Sequence, residues 1–149
     1  MSNSSAAHKA LKRRVAMAVG QLPISRAFVR ETGQGRVGGR RAQARNIRGD
    51  VVDYYDGEQQ MRFGVVGGAD VEAFVAPLGR HVEIECKTGA GAQSPDQRLF
   101  SRAVEPFGVV YLVVRTEAEA VDAVWSIYEA DVAIALAAGL VVDKVARRP

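Results

Sequence analysis

Two stretches near the middle of the chain carry acidic residues at every second position, and a lysine follows the second stretch. Asp70 and Glu72 alternate with apolar residues, as do Glu83, Glu85 and Lys87. Alternation with a period of two is typical of a β-strand that has one charged face. Carboxylates are ligands for Mg²⁺ or Mn²⁺, and an adjacent ammonium group can orient water. The pattern indicates metal-assisted hydrolysis, with a solvated strand face as the structural alternative.

Whether these charges meet depends on the turn between the two strands. The segment Ala76 to Gly79 contains a proline and a glycine, which predicts a hairpin. With an even number of turn residues, Asp70 lies opposite Glu85, with side chains about 5 Å apart, and the same register pairs two further glutamates, Glu72 and Glu83. A three-residue turn would place Asp70 and Glu85 on opposite faces. Like charges opposite each other are unfavourable, so an even turn requires solvent, cations or a metal ion as compensation.

The residues around these carboxylates resemble the PD-(D/E)xK nuclease superfamily and, within it, the VRR-NUC family of small nucleases. Four segments carry the resemblance, within a span of about one third of the chain: Gly68 to Val71, Val82 to Thr88, Ser94 to Gln97, and Val109 to Arg115. The resemblance implies an α/β fold with a restriction-endonuclease-like core, in which helices flank a mixed β-sheet. It also implies divalent-metal-dependent hydrolysis of DNA phosphodiester bonds.

The resemblance assigns roles to single residues. Asp70, Glu85 and the backbone carbonyl of Cys86 would bind Mg²⁺ or Mn²⁺ as the cofactor. Lys87 would position or activate the attacking water, and Gln97 would lie at the edge of the catalytic site. The catalytic set that the resemblance implies is therefore Asp70, Glu85, Lys87 and Gln97.

The chain departs from the family pattern at two positions. Ala69 precedes Asp70 where the family usually has proline, and His8 with its neighbours stands where the first helix usually carries a glutamate. Three side chains are possible metal ligands in place of that glutamate: Glu72, Glu83 and His8. Because Mn²⁺ lies above Mg²⁺ in affinity and accepts nitrogen ligands, the departure predicts that activity favours Mn²⁺.

Helices are predicted on both sides of the acidic stretches. Ser4 or Ser5 can begin a helix with apolar residues at steps of three and four between Leu11 and Leu22, ending at Pro23. Ser94 to Gln97 reads as a capping box with proline at the first helical position, so Gln97 has a structural role beside the catalytic one. The strand that follows, Val109 to Val114, is fully apolar and is expected to be central in the sheet.

A second capping box opens the last predicted helix. Thr116 and Glu119 form this box, and the helix continues through the alanine-rich stretch 130–138 to Gly139. Val121, Val124, Trp125 and Tyr128 lie on one side of it. This apolar side is either part of the core or the interface of a homodimer.

Positive charge is concentrated in the first third of the chain. Residues 1–50 have a net charge of +9 and the remainder −6, so DNA is the first partner to consider. After a short strand over Arg26 to Glu31, the segment Gly33 to Arg48 holds four glycines, five arginines and no acidic residue, which predicts a flexible basic loop. Its arginines are the candidate DNA-binding residues: Arg36, Arg40, Arg41, Arg45 and Arg48. Tyr54 to Gly64 predicts a hairpin that turns at Asp56 and Gly57.

Length and composition narrow the class of protein. With 149 residues, 48% of them hydrophobic and 25% charged, the chain is expected to form a single nuclease-like domain over 1–149. The lone Cys86 is expected to be a buried structural thiol, and it favours a cytoplasmic protein. No apolar run has the length of a membrane span, and no glycine motif has the spacing of an ATP-binding phosphate loop.

These patterns together predict a divalent-metal-dependent DNA endonuclease. The resemblance suggests branched or junction DNA as substrate and a homodimer as the active form, because two symmetric sites can cut both strands. The alternative is a non-catalytic DNA-binding or assembly subunit that retains the nuclease fold.

Overall fold

The computed structural model describes residues 3–30, 33–37, 40–45, 51–56, 59–63, 65–143 and 145. The chain divides into two compact units. Residues 1–30 and 66–149 form the first, called here the α/β unit, and residues 31–65 form the second, called the inserted unit. No helix among the described residues is long and apolar enough to cross a membrane.

The α/β unit contains three helices and four strands. Its helices are α1 (Asn3–Gly20), α2 (Pro95–Val104) and α3 (Glu117–Ala137), and a short 3-10 turn covers Glu105–Phe107. Its strands are β1 (Ser25–Val29), β6 (Val71–Val75), β7 (Arg80–Cys86) and β8 (Val110–Val114), and the inserted unit holds β2 (Gly33–Val37), β3 (Arg40–Arg45), β4 (Val51–Asp56) and β5 (Gln59–Phe63).

The four strands of the α/β unit form one mixed sheet in the order β1-β6-β7-β8. The pairs β1/β6 and β6/β7 are antiparallel, and the pair β7/β8 is parallel, with α2 in the crossover between β7 and β8. Helices flank the sheet, so the predicted α/β class with a mixed sheet is confirmed.

The hairpin between β6 and β7 has the even register. Val75 pairs with Arg80 and Glu72 pairs with Glu83, across a four-residue turn. Asp70 immediately precedes β6, so it occupies the next position of this register after the last ladder pair. The sheet therefore brings the alternating carboxylates onto one face, as the even turn predicts.

The hydrophobic core lies between the opposite face of the sheet and the helices α1 and α3. Leu11, Val15 and Val19 of α1 are 3% exposed or less, which confirms the apolar spacing read from the sequence. Trp125 and Tyr128 of α3 are also buried in this core and contact each other edge to face. Of the two alternatives left open for this side of α3, the core is confirmed for Trp125 and Tyr128, because their own chain already covers them.

The strand β8 lies at the end of the four-stranded order, so the prediction that it is central is wrong. Its apolar residues are explained by coverage of both faces. Leu112 packs against the core, while Tyr111, on the other face, meets Phe100 of α2 with ring centroids 6.2 Å apart. An edge strand with a helix over each face needs apolar residues as much as a central strand does.

The inserted unit contains two antiparallel pairs, β3 with β4 and β2 with β5. The predicted flexible loop over Gly33 to Arg48 is therefore wrong where Gly33–Val37 and Arg40–Arg45 are strands. The predicted hairpin over Tyr54 to Gly64 is wrong as well, because β4 and β5 each pair with an earlier strand. Local composition favours a loop here, but strand formation depends on partners further along the chain.

Candidate active site

Asp70 is fixed from two sides at the point where the chain enters β6. Its Oδ2 accepts a hydrogen bond of 3.0 Å from the backbone N–H of Cys86, and its Oδ1 lies 3.2 Å from Nε2 of His8. The residue is 9% exposed, so its carboxylate is largely withdrawn from solvent. Helix α1 thus delivers His8 to the carboxylate, and the end of β7 delivers a backbone donor.

Glu85 and Lys87 form an ion pair at the end of β7. Nζ of Lys87 lies 2.8 Å from Oε1 of Glu85, whose residue is only 2% exposed. The backbone N–H of Lys87 donates to the carbonyl of Val114, which extends the contact between β7 and β8 beyond the last strand residue. The parallel neighbour therefore holds the lysine backbone beside the buried carboxylate.

Gln97 has the capping role predicted for it, and its side chain also contacts Lys87. Its Oε1 accepts hydrogen bonds of 2.9 Å from Nζ of Lys87 and 2.9 Å from the backbone N–H of Ser94. Oγ of Ser94 in turn accepts from the backbone N–H of Gln97, which completes the capping box of α2. The start of α2 is thus tied directly to the lysine of the candidate site.

The charges of this site are not balanced. Burial raises the pKa of Glu85, and the negative charge of Asp70 raises it further, whereas the hydrogen bond and charge of Lys87 act in the opposite direction. Two largely buried carboxylates thus act on each other, and the ammonium group of Lys87 pairs with Glu85. Such a pair is stabilised when a further cation joins it.

Cys86 contributes its backbone rather than its thiol. The side chain points to the core face and is fully buried, which confirms the predicted structural thiol. Burial, and secondly the charge of Asp70, raise the pKa of the thiol to about 12, so it stays protonated near neutral pH. Thiol chemistry at this position is therefore disfavoured.

A second group of charges lies beside the first on the same face of the sheet; we call it the Arg30 cluster, and its members are Arg30, Glu72, His81 and Glu83. Nη1 of Arg30 lies 3.0 Å from both carboxylate oxygens of Glu83, and Nη2 lies 3.2 Å from Oε2 of Glu72. Nε2 of His81 lies 3.1 Å from Glu72 and 3.3 Å from Glu83, without the alignment of a hydrogen bond.

The Arg30 cluster bears on two of the possible metal ligands. Glu72 and Glu83 already have a guanidinium partner, so the structure gives them a role that sequence analysis did not assign. Arg30 and His81 were missed as well. The signal that could have found Arg30 is the pairing of Glu72 with Glu83, because two facing carboxylates require a cation close by.

The donor set of the candidate site consists of oxygens. Among the residues that the structure describes, no group of three or more His, Cys, Asp or Glu side chains is arranged to hold a metal ion. Mg²⁺ is commonly bound by only one or two carboxylates together with water and phosphate oxygens. Asp70 and Glu85 are two such carboxylates, and Nε2 of His8 lies 3.2 Å from Oδ1 of Asp70.

The candidate DNA-binding arginines belong to the inserted unit. Arg36 lies in β2, while Arg40, Arg41 and Arg45 lie in β3. Arg40 is the register partner of Asp56, and Arg41 is that of Tyr55. Arg48 lies outside the described residues.

The chain matches no protein-family model, and no curated protein is significantly similar to it.

Proposed function

We propose that the protein is a divalent-metal-dependent nuclease that hydrolyses DNA phosphodiester bonds. The observation that carries the proposal is the convergence of Asp70, Glu85 and Lys87 at one end of the sheet, with Gln97 bound to the lysine. Two buried carboxylates and one ammonium group are the side chains that this chemistry requires. The mixed sheet flanked by helices supports a restriction-endonuclease-like core as part of the proposal.

In this mechanism each residue has a separate task. Asp70 and Glu85, with the carbonyl of Cys86, hold the cation, which supplies Lewis acidity at a phosphoryl oxygen when bound. Lys87 orients the attacking water and stabilises negative charge on the phosphoryl oxygens. Gln97 keeps the ammonium group of Lys87 in place through its 2.9 Å hydrogen bond.

Cleavage of supercoiled plasmid and of branched DNA tests the proposal. We expect cleavage in Mg²⁺ or Mn²⁺ and none in EDTA, and we expect purified Asp70→Asn to be inactive under every condition. Activity that persists in EDTA, or that is equal in the parent and in Asp70→Asn, would remove the proposed mechanism.

DNA binding forms a second part of the proposal, and it is supported by the arginines of the inserted unit. Neutralising Arg36, Arg40 and Arg45 should weaken binding equally for unrelated sequences, because phosphate contacts carry no sequence information. Loss of three phosphate contacts should reduce the slope of log affinity against log salt by about 2.7. Fluorescence anisotropy over a range of salt concentrations measures this slope, and an unchanged slope would assign the arginines another task.

A non-catalytic DNA-binding or assembly subunit is the second candidate function. The observation that favours it is the contact of His8, rather than a further carboxylate, with Asp70. This candidate predicts DNA binding that is unaffected by Asp70→Asn, together with no cleavage in either metal ion.

We further propose that the protein is cytoplasmic and that it acts as a homodimer. The homodimer is proposed because cleavage of both strands is easiest with two symmetric sites. Light scattering at micromolar concentration tests the assembly. A particle of 16.0 kDa, the mass of a single chain, would contradict it.

A further inference from the structure

Glu83 is a buried carboxylate to which the proposed chemistry gives no task. It is 1% exposed and is held by Nη1 of Arg30, which lies 3.0 Å from both of its oxygens. Its Oε2 also accepts a hydrogen bond of 3.3 Å from the backbone N–H of Ala69. Glu83 therefore anchors the residue that directly precedes Asp70.

Arg30 reaches the same short segment through its backbone. Its N–H donates to the carbonyl of Asp70 over 2.8 Å, and its own carbonyl accepts a hydrogen bond of 3.2 Å from Nζ of Lys12. One residue thus binds Glu83 with its side chain and Asp70 with its main chain. Glu83 thus holds the N–H of Ala69, in the peptide group one residue before Asp70, while the main chain of Arg30 holds the carbonyl of Asp70.

The location of Asp70 makes these contacts important. The β6/β7 ladder ends with the pair Val71 and Ile84, so Asp70 lies just outside the regular strand. The direction of its carboxylate is then determined by the peptide groups around it. In the structure, Oδ2 of Asp70 accepts the N–H of Cys86, the residue between Glu85 and Lys87 in the chain.

Stability alone is a weak reason to retain the pair of Arg30 and Glu83. Desolvation of a buried ion pair offsets most of its attraction, and apolar residues of similar volume are often as stabilising. The chain contains a comparison pair on the core face of the same sheet, where Nε of Arg80 donates to Asp131 over 3.2 Å. Asp131 is as buried as Glu83, but it contacts no residue of the candidate site.

We propose that Arg30 and Glu83 are positioning residues that aim the carboxylate of Asp70 at the candidate metal site. The pair acts through the peptide groups of Ala69 and Asp70 and touches neither substrate nor metal ion. The inference depends on the proposed function for its catalytic consequence, but not for its effect on the geometry of Asp70.

The test replaces Arg30 and Glu83 together, so that neither is left buried without the other; Glu72, the other carboxylate that Arg30 contacts, is partly exposed. In the full chain, Arg30→Met/Glu83→Met should melt close to the parent protein, because both charges leave together. We expect Mn²⁺ affinity and kcat to fall by about 10- to 100-fold, with a smaller change in KM for DNA. Amide hydrogen exchange supplies a readout without metal, since the N–H of Cys86 should lose protection when Asp70 turns away.

The control variant is Arg80→Met/Asp131→Leu, which removes the comparison pair in the same way. It should leave Mn²⁺ affinity, kcat and the protection of Cys86 near the parent values. If the Arg30/Glu83 double variant folds poorly, two single variants replace it. Glu83→Gln keeps an acceptor for the N–H of Ala69, so the Cys86 N–H should stay protected from exchange. Glu83→Met removes that acceptor, so this protection should be lost. Parent-like Mn²⁺ affinity and parent-like Cys86 protection in the double variant overturn the proposal.

Failure of this inference can be distinguished from failure of the proposed function. A parent protein that cleaves DNA, with a double variant that cleaves equally well, overturns the positioning role and leaves the nuclease intact. A parent protein that binds Mn²⁺ through Asp70 but cleaves nothing overturns the nuclease, and Mn²⁺ affinity then decides the positioning role. A parent protein that neither binds Mn²⁺ nor cleaves DNA overturns the nuclease, and the protection of the Cys86 N–H in the double variant then decides the positioning role.

Discussion

Two pairs of carboxylates lie one step apart on the same face of the sheet, and they are neutralised in different ways. Glu72 and Glu83 face each other across β6 and β7, and the guanidinium of Arg30 lies within 3.2 Å of both. Asp70 and Glu85 occupy the next position of this register. Of these two carboxylates, Lys87 forms its ion pair with Glu85. Each pair has one cationic side chain and one histidine beside it, but the guanidinium contacts both carboxylates of the first pair, whereas the ammonium group pairs with Glu85 in the second.

This difference separates a structural acidic pair from one that is suited to an external cation. Both pairs follow the same alternating pattern in the sequence, so the pattern alone does not distinguish them. The distinction depends on the cations that reach each pair. Arg30, directly after β1, contacts the first pair, while α1 places the imidazole of His8 3.2 Å from Asp70 of the second.

The largest effect that tests this comparison is on catalysis. Glu85→Gln, Asp70→Asn and Lys87→Ala should each lower the cleavage rate by about 100- to 1,000-fold or more, because each removes a group that the reaction requires. Glu72→Gln is the matched control and should stay within about threefold of the parent rate, since Arg30 already occupies that carboxylate. Single-turnover cleavage measures both, and a similar loss in Glu72→Gln would remove the distinction between the pairs.

The metal preference should show a smaller change. The parent protein should favour Mn²⁺ over Mg²⁺, and His8→Glu should raise Mg²⁺-supported cleavage by about tenfold because it adds an oxygen ligand beside Asp70. Lys9→Glu, one position further along the exposed part of α1, controls for the change of net charge. If Mg²⁺-supported cleavage is unchanged in His8→Glu, the position on α1 lies out of reach of the metal ion.

Glu85 should also make stability depend on pH. Burial, and further the negative charge of Asp70, raise its folded-state pKa above the ordinary value of 4.5, so the folded chain binds a proton at Glu85 more tightly than the unfolded chain does. The stabilising contribution is present below pH 4.5 and is lost as pH rises through the folded pKa, with a slope of up to about 1.4 kcal/mol per pH unit. Urea unfolding of Glu85→Gln without divalent cations should lack this slope. Glu129→Gln, an exposed position on α3, should retain the parent slope.

The smallest effect concerns the side chain of Cys86, which points away from both carboxylate pairs. Its thiol pKa is raised from 9.0 to about 12, so only the unfolded chain ionises between these values. The free energy of unfolding should therefore fall by about 1.4 kcal/mol per pH unit above pH 9, and the difference between parent and Cys86→Ala should isolate this slope. A constant difference between the two proteins across this range would show that the thiol ionises equally in both states.

Short-range patterns predicted much of the candidate site. The even turn after Val75 determined the register of the hairpin, and the capping box at Ser94 determined where α2 begins and where Gln97 lies. Both depend on residues within a few positions of each other. The same alternation predicted that Cys86 is buried on the core face and that Glu85 lies on the other face of the sheet.

The features that escaped prediction depend on distant partners. Arg30 is more than fifty positions from Glu83 in the chain, and no periodicity links the two residues. The strands of the inserted unit likewise pair across long separations, such as Gly33 with Phe63. The apolar composition of β8 predicted that both of its faces are covered. It did not predict the position of β8 in the sheet, because helices can cover the faces of an edge strand as well as those of a central strand.

The inserted unit enters and leaves the α/β unit at neighbouring strands. Val29 and Val71 are register partners in β1 and β6, so a short connection between these strands would restore an uninterrupted three-stranded meander. The entropy of closing a loop grows only slowly with its length, so the segment between the two strands can gain or lose residues at small cost. Evolution can therefore change the arginine-bearing segment while the sheet that holds the carboxylates keeps its register.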